Sequence, residues 1–371
     1  IMFKSGEEHR CMRKVFEPAF TPGAIRDYAA VMDQTTKEQL KTWHSSGTFQ
    51  QPREWALLAM KIFFVCAFGE VDEGRLSKIG DLFEGWIAGT LAPIPFNIPG
   101  TTLAKGLKFK RALSVELQNL IDEFKAQYPP DSPNAKTSVL GRLCYAVDEN
   151  GNNPTDEQVL DNLRFFVFAG FDTTKGSFGG IAHFLKENPY AEETLVQEIQ
   201  SFGSPDNPLD IDQLKNDAPV LNAILAETWR LSAPLASHAM NATQDIEYKG
   251  YLIPKGSFVA TDTQAHNIMN NSLYPKAAEF HFERWLPKDH PLYDPKLANT
   301  EVIDYNVMNS KFRSFNYGPH MCLGAHFAKQ EVRIVVVRLL QGYCFEIRNE
   351  TTKQFPLKQI SSEFKLSKRS S

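Results

Sequence analysis

Apolar residues recur at helical spacing along most of the chain. This period predicts helices over residues 25–43, 55–68, 105–127, 156–185, 189–202, 212–232 and 323–341. The period changes to two between residues 242 and 263, where the segments 246–248 and 251–253 around Lys249-Gly250 predict a hairpin. Further short strands are expected within residues 343–371. The pattern therefore predicts a mainly α fold with a small β region at about 242–263 and 343–371.

Composition and charge narrow the class of protein. The 371 residues are 42% hydrophobic and 23% charged, as in soluble globular proteins, and the net charge of −4 gives no indication of nucleic-acid binding. The longest apolar runs, 63–68 and 165–169, are too short to span a bilayer. Five cysteines without a Cys-x-x-Cys pair favour reduced thiols over a disulfide framework or a zinc site.

One cysteine stands in a position that favours its thiolate. Cys322 follows a turn built from Gly318 and Pro319, and it precedes the helix predicted at 323–341. Unpaired backbone N–H groups and the helix dipole stabilise an anion there. Gly324 has no side chain, so a flat group could lie against the backbone. A buried cysteine at a helix start is the commoner explanation of such a position.

The spacing around that cysteine is more specific. Phe315-x-x-Gly318-x-x-x-Cys322-x-Gly324 resembles the cysteine-ligand signature of the cytochrome P-450 superfamily. The resemblance covers nearly the whole chain and implies a single haem-thiolate catalytic domain over residues 1–371, helix-rich at 1–232 and 323–341. It further implies haem b as cofactor, with Cys322 as the iron ligand and Phe315, Gly318 and Gly324 beside the haem.

A second motif lies at the centre of the helix predicted at 156–185. Ala169 and Gly170 leave a groove without side chains, and a mid-helix glycine costs about 1 kcal/mol relative to alanine. Thr173 can bond the carbonyl group one turn earlier, and Asp172 supplies a group for relaying protons. Simple helix packing is the alternative. The run from Ala169 to Thr174 resembles the family's oxygen-binding segment, which implies catalytic roles for Asp172 and Thr173.

A third motif pairs opposite charges on the helix predicted at 212–232. Glu227-x-x-Arg230 places the two residues next to each other on one helix face. Such a pair is often an exposed ion pair worth less than about 1 kcal/mol. The motif resembles the family's buried Glu-x-x-Arg, which Arg284 completes, although Glu283 stands where proline is commoner. The resemblance implies that Glu227, Arg230 and Arg284 are structural and hold the cysteine loop.

The first residues resemble the family's helix that crosses the haem edge. His9 and Arg13 are one helical turn apart and, by this resemblance, contact a haem propionate; an exposed charged face is the alternative. His320 and Met240 stand where arginine is common in the family, so propionate binding is expected to depend on His9, Arg13 and His320. The early position of this helix predicts that the fold is N-terminally incomplete, with any membrane anchor outside this chain.

The resemblance implies monooxygenation of a small lipophilic substrate with O2. Residues 95–101 resemble the branch that acts on terpenoids, steroids and retinoids, and the pocket candidates are Phe165, Phe168, Ala169, Thr173 and residues 233–237, each of which could be plain core. The alternatives are a haem-thiolate peroxygenase or isomerase, and a non-catalytic haem-binding fragment. The compartment stays open: endoplasmic-reticulum membrane in a eukaryote, cytoplasm in a bacterium.

A separate electron donor, a reductase or a ferredoxin, is expected because the chain has no flavin or iron–sulfur motif. Lys329 and Arg333 lie one turn apart on the helix after Cys322, near Lys311 and Arg313. They predict a basic docking face for an acidic partner. A solvated basic face without a partner is the alternative.

Overall fold

The fold was analysed in a computed structural model that describes residues 1, 4–90, 92, 96–235, 237–298, 312–353 and 359–369, with only the backbone at 350–353 and 359–361. In these ranges the helices are α1 Gly6–Phe16, α2 Pro22–Ser46, α3 Arg53–Phe68, α4 Glu73–Thr90, α5 Thr102–Gln127, α6 Pro133–Thr137, α7 Val139–Cys144, α8 Asp156–Glu187, α9 Pro189–Gln200, α10 Ile211–Asn216, α11 Pro219–Leu231, α12 Thr263–Met269 and α13 Ala325–Gly342.

The strands form three small antiparallel sheets. They are β1 Thr48–Gln51, β2 Ser237–Asn241, β3 Ile246–Tyr248, β4 Tyr251–Ile253, β5 Phe258–Asp262, β6 Tyr343–Lys353 and β7 Gln359–Lys368. Strands β6 and β7, with 11 and 10 residues, are longer than the short strands expected there. Strand β7 lies between β1 and β6, β2 pairs with β5, and the predicted hairpin is β3–β4. The prediction of a mainly α fold with a small β region is confirmed.

Helix α8 runs through the centre of the molecule. Thr155 and Gln158 start it with a reciprocal capping box, in which each side chain bonds the other residue's backbone N–H. It packs against α3, α5, α11 and α13. Helices α3 and α13 are buried along most of their length, so the oxygen-motif helix and the helix that follows Cys322 belong to one core.

One predicted helix is two. The segment 212–232 breaks after Asn216, and α11 begins at Pro219, since proline cannot donate an interior backbone bond but suits a first helical turn. The carboxylate of Glu198, on α9, accepts the next two backbone N–H groups, those of Val220 and Leu221, at 2.8 Å each. The new helix start is thereby fixed to α9.

The proline-containing segment 128–137 ends in the short helix α6. Ser132 caps α6 through its hydroxyl oxygen, and Pro133 occupies the first helical position. Among the described residues, no helix has both the length and the apolar content needed to cross a membrane.

Candidate functional site

The residues from Phe315 to Gly324 form a tight loop ahead of α13. The backbone N–H of Cys322 donates to the carbonyl oxygen of Phe315 at 2.9 Å and closes the loop. Gly318 has a φ of 74°, a left-handed conformation that glycine adopts without strain. Gly324 is the residue before the first turn of α13. The loop therefore places Cys322 just before the start of a long helix, where an anion is stabilised.

The surroundings of Cys322 show a sulfur that is open on one side. Solvent reaches the side chain, yet burial raises the pKa of the Cys322 thiol above its ordinary value, because protein surrounds it on its other sides. The backbone N–H of Gly324 and the positive charges of Arg13 and Lys329 act in the opposite direction and favour the thiolate. A cation bound at the open side would add to that stabilisation.

Helix α1 packs directly on this loop. The guanidinium of Arg13 donates to the carbonyl oxygen of Met321 at 2.7 Å. The rings of His9 and His320 stack with their centroids 3.9 Å apart. Burial, and then the positive charges of His320 and Arg13, lower the pKa of His9. The three residues predicted to bind the haem propionates are thus together at one edge of the cysteine loop.

The middle of α8 presents a half-open stripe. Residues that are only partly covered alternate there with buried neighbours, and the stripe comprises Phe165, Phe168, Ala169, Gly170, Asp172 and Thr173. A Cβ added at Gly170 would meet no atom within 4 Å, and the same is true at Gly324. Both glycines therefore border open space, as a bound planar group requires.

The polar groups of that stripe are paired within α8. The hydroxyl of Thr173 donates to the carbonyl oxygen of Ala169 at 2.6 Å, the bond to the preceding turn that the sequence suggests. The carboxylate of Asp172 forms an ion pair with Lys175. The ammonium of Lys175 also lies 5.4 Å from the ring centroid of Phe171. Lys175 therefore holds the acid of the motif, a contact the sequence did not suggest.

The carboxylate of Glu227 is the centre of a buried network. It accepts bonds from Arg230 at 2.7 and 2.8 Å and from Arg284 at 3.1 Å. The indole of Trp285 donates at 2.7 Å and the backbone N–H of His281 at 2.8 Å. Burial raises the pKa of Glu227, but the bonds and charges of the two arginines outweigh it, so the pKa is lowered overall.

The two arginines extend the network to the segments around it. Arg230 donates to the carbonyl oxygens of Asn267 at 2.7 Å and Glu279 at 3.0 Å. Arg284 donates to those of Pro275 at 2.9 Å and Leu297 at 3.0 Å. The network ties α11 to the polypeptide between α12 and residue 297. That Glu227, Arg230 and Arg284 hold the cysteine loop stays a prediction, since these bonds reach residues 267–297.

The predicted basic docking face is wrong for its two helical residues. Lys329 and Arg333 are both only 3% exposed. Arg333 donates to the side-chain oxygen of Asn222 at 2.8 Å, and the ammonium of Lys329 lies 5.1 Å from the ring centroid of Phe315. The charges serve internal packing because α13 is covered on nearly all sides. Lys311 lies outside the described residues.

Sequence reasoning missed two buried polar groups near the site. Glu331 on α13 is buried, and burial raises its pKa well above the ordinary value despite a hydrogen bond with Thr174. Trp229 is buried between the two charged residues of its motif and donates its indole N–H to Ser177 of α8 at 3.0 Å. No sequence signal marks either one, since both lie at positions whose burial depends on the tertiary fold.

These features fit haem b. A solvent-exposed cysteine, glycines that border open space, and an arginine with two histidines at one edge are what a planar, carboxylate-bearing, iron-containing group needs. The fold and the site together define a haem-thiolate enzyme. The chain belongs to the cytochrome P-450 family, whose family model matches residues 1–368. It is a cytochrome P-450 monooxygenase, an oxidoreductase whose cofactor is haem b.

Curated relatives are similar along most of the chain. Abscisic acid 8'-hydroxylase 2 of Arabidopsis thaliana is 24% identical over 94% of this chain and 68% of that protein. Beta-amyrin 11-oxidase of Glycyrrhiza uralensis is 26% identical over 92% of this chain and 67% of that protein. Putative cytochrome P-450 120 of Synechocystis is 26% identical over 91% of this chain and 71% of that protein.

Solved structures share the fold. Retinoic acid bound cyanobacterial CYP120A1 superposes with a TM-score of 0.84 at 23% identity, covering 99% of this chain and 80% of that chain. The haem domain of cytochrome P-450DA gives a TM-score of 0.82 at 18% identity, covering 96% and 77%. At such identities these structures establish the architecture alone.

Proposed function

We propose that Cys322 is the thiolate ligand of haem b and that this monooxygenase hydroxylates an isoprenoid-derived lipophilic compound. The observation that carries the first part is the loop from Phe315 to Gly324, which leaves the sulfur of Cys322 open on one side before the N-terminus of α13. When bound, the haem activates dioxygen for insertion of one oxygen atom into a C–H bond.

The residues around the loop have binding roles. His9, Arg13 and His320 would hold the propionates at the edge where α1 meets the loop, because their side chains meet there. Arg13 also fixes the loop by donating to the carbonyl oxygen of Met321. Gly170 and Gly324 both border open space and would leave room for the ring. Phe315 supports the loop through its carbonyl oxygen, which accepts the N–H of Cys322.

Proton handling is assigned to Thr173 and Asp172. The hydroxyl of Thr173 accepts as well as donates, and its bond to Ala169 holds it on the half-open stripe. Asp172 is the neighbouring titratable group, only partly exposed and paired with Lys175. In this role Asp172 exchanges protons with solvent and Thr173 passes them to the reacting oxygen, which favours product over released peroxide.

The isoprenoid substrate class is supported by the pocket and the relatives. The apolar members of the stripe, Phe165, Phe168 and Ala169, are half-buried, and Phe168 lies against Phe83 and Trp86 of α4 with ring centroids 6.1 and 6.3 Å apart. Such an aromatic wall suits a bulky hydrocarbon. The relatives are named for abscisic acid, beta-amyrin and a taxoid, and a related structure holds retinoic acid.

Optical titration of the haem spectrum tests this class. All-trans-retinoic acid, abscisic acid and beta-amyrin are compared with palmitic acid, and at least one isoprenoid should bind at least tenfold more tightly. Ala169→Phe, which fills the stripe, should weaken that binding, whereas Glu187→Ala at the exposed end of the same helix should not. Preference for palmitic acid, or equal affinities for all four, would contradict the isoprenoid proposal.

Turnover tests the electron source. A redox partner is supported by membership of the cytochrome P-450 family, whose members generally receive electrons from one. Product should form with NADPH and a cytochrome P-450 reductase, or with a ferredoxin couple. Product formed with hydrogen peroxide but with neither donor would instead favour the peroxygenase alternative.

A further inference from the structure

Trp229 lies where the two sides of the proposed haem site meet. It stands on α11 between Glu227 and Arg230, and it is 1% exposed. Its indole N–H donates to the hydroxyl oxygen of Ser177 on α8 at 3.0 Å. A buried indole N–H needs an acceptor, and here the acceptor belongs to the helix that carries the oxygen motif.

The bond continues from Ser177 to Thr173. The hydroxyl of Ser177 donates to the backbone carbonyl oxygen of Thr173 at 3.2 Å, and the hydroxyl of Thr173 donates to Ala169 at 2.6 Å. Because a hydroxyl has a single proton, the indole donor leaves Ser177 free to direct its own proton to Thr173. The indole therefore sets the orientation of a group bonded to the residue that handles protons.

The other side of Trp229 contacts the cysteine loop. Its backbone carbonyl oxygen accepts the hydroxyl proton of Ser314 at 2.7 Å. Its ring meets Phe315 edge to face, with centroids 5.1 Å apart. The carbonyl oxygen of Phe315 in turn accepts the N–H of Cys322. A continuous set of contacts thus joins Thr173 to Cys322 through Ser177, Trp229 and Phe315, with Trp229 at its centre.

Two glycines of α8 allow close approach beside these bonds, Gly180 by α11 and Gly176 by the residues that follow α11. A Cβ at Gly180 would lie 3.2 Å from the methyl group of Thr228, and one at Gly176 would lie 3.4 Å from Pro234. These glycines stand one residue before and three residues after Ser177. The close approach is therefore centred on the Trp229–Ser177 bond.

We propose that Trp229 is a positioning residue for the monooxygenase reaction, which holds Thr173 in register with the cysteine loop through Ser177 on one side and Phe315 on the other. The inference rests on the roles proposed for Thr173 and Cys322. Phenylalanine at this position would keep an aromatic ring against Phe315 but remove the donor to Ser177. The hydroxyl of Ser177 would then reorient, and the turn of α8 at Thr173 would loosen.

The first test measures electron use in the haem-loaded protein with all-trans-retinoic acid as probe. Trp229→Phe and Ser177→Ala should each lower the ratio of product to hydrogen peroxide about fivefold, the factor that corresponds to about 1 kcal/mol. The double variant should show no further fall in this ratio, because both changes remove the same Trp229–Ser177 bond. Affinity for the probe should stay unchanged.

The second test needs no turnover. Amide hydrogen exchange in residues 170–177 of the haem-loaded protein should speed up about fivefold in Trp229→Phe. Trp43→Phe is the matched control. Trp43 lies on α2, is 2% exposed, and donates its indole N–H to Glu54 of α3 at 3.0 Å. This control variant should leave both the exchange of 170–177 and the product ratio unchanged.

The outcomes separate this proposal from the function on which it rests. If Thr173→Ala diverts electrons to peroxide while Trp229→Phe does not, Trp229 is not a positioning residue and the proposed function stands. If Thr173→Ala has no effect, the proton role itself is wrong. Unchanged exchange in Trp229→Phe, or an equal acceleration in Trp43→Phe, would also overturn the inference.

Discussion

Arg230 binds Glu227 through two hydrogen bonds of 2.7 and 2.8 Å, and neither side chain has any exposed surface. A pair so buried is stabilising only while both partners and their other bonds are present, since an uncompensated buried charge is costly. Here the carboxylate is also bonded to Arg284 and Trp285. The network therefore joins α11 to α12 and to residues 275–297 as one unit.

Breaking the Glu227–Arg230 pair should strongly destabilise the fold. Arg230→Met leaves the Glu227 charge buried with fewer partners and should lower the free energy of unfolding by about 3–5 kcal/mol. Urea unfolding followed by circular dichroism measures this. As a control, Arg348→Gln removes the partner of Glu346 in an exposed pair and should cost less than about 1 kcal/mol. Equal losses in the two variants would contradict the structural role.

The same network should make the fold sensitive to acid. The pKa of Glu227 is lowered in the folded protein from an ordinary value of 4.5. A lowered carboxyl pKa contributes stability that is present above 4.5 and is lost as pH falls through the folded value. The free energy of unfolding measured between pH 5 and pH 3 should therefore fall more steeply in the native chain than in Glu227→Gln. Parallel curves would show that Glu227 keeps an ordinary pKa in the fold.

Glu331 should make the fold less stable as the pH rises, the opposite of the effect of Glu227. Burial raises its folded pKa well above 4.5, so at intermediate pH the folded protein keeps a proton that the unfolded chain has lost. Stability should then decrease with rising pH, by up to about 1.4 kcal/mol per unit. Glu331→Gln should flatten the slope of the free energy of unfolding against pH between pH 5.5 and 7.5. Glu193→Gln, at an exposed position of α9, should not. A slope unchanged in Glu331→Gln would show that the carboxyl ionises in the fold.

Thr173→Ala should redirect electrons. The variant loses the hydroxyl bonded to Ala169 but keeps the shape of the half-open stripe, so haem and probe binding should stay nearly unchanged. Coupled product should fall about 100-fold, the effect of one lost proton-relay group, with hydrogen peroxide released instead. Thr173→Ser, which retains the hydroxyl, should keep most of the coupling. Unchanged product per electron in the alanine variant would refute the assigned role.

The sequence predicted the helices that carry the site because their signals are local. The helix of 156–185 is Asp156–Glu187 in the structure, and the hairpin around Lys249-Gly250 is β3–β4. The Cys322 loop was found because the spacing of Phe315, Gly318, Cys322 and Gly324 resembles the signature of the cytochrome P-450 family. The break before Pro219 was missed although proline signals it, since apolar spacing continues across the break.

The wrong and missed predictions concern which helix faces other parts of the chain cover. Lys329 and Arg333 have the spacing of an exposed basic face, but the side chain of Asn222 and the ring of Phe315 cover them. Glu331 and Trp229 were missed for the same reason, because their partners Thr174 and Ser177 come from α8. Helical spacing fixes the direction of a side chain, and only the tertiary fold determines what it meets.

The carbon monoxide difference spectrum of the reduced, purified protein tests the central claim, that Cys322 is the thiolate ligand. The native chain should give the spectrum of a thiolate-ligated haem, and Cys322→Ser should abolish it. Alanine at Cys11, Cys66, Cys144 or Cys344 should leave it intact, because none of these lies in the loop before α13. A thiolate-type spectrum in Cys322→Ser, or its absence from the haem-loaded native chain, would contradict the account.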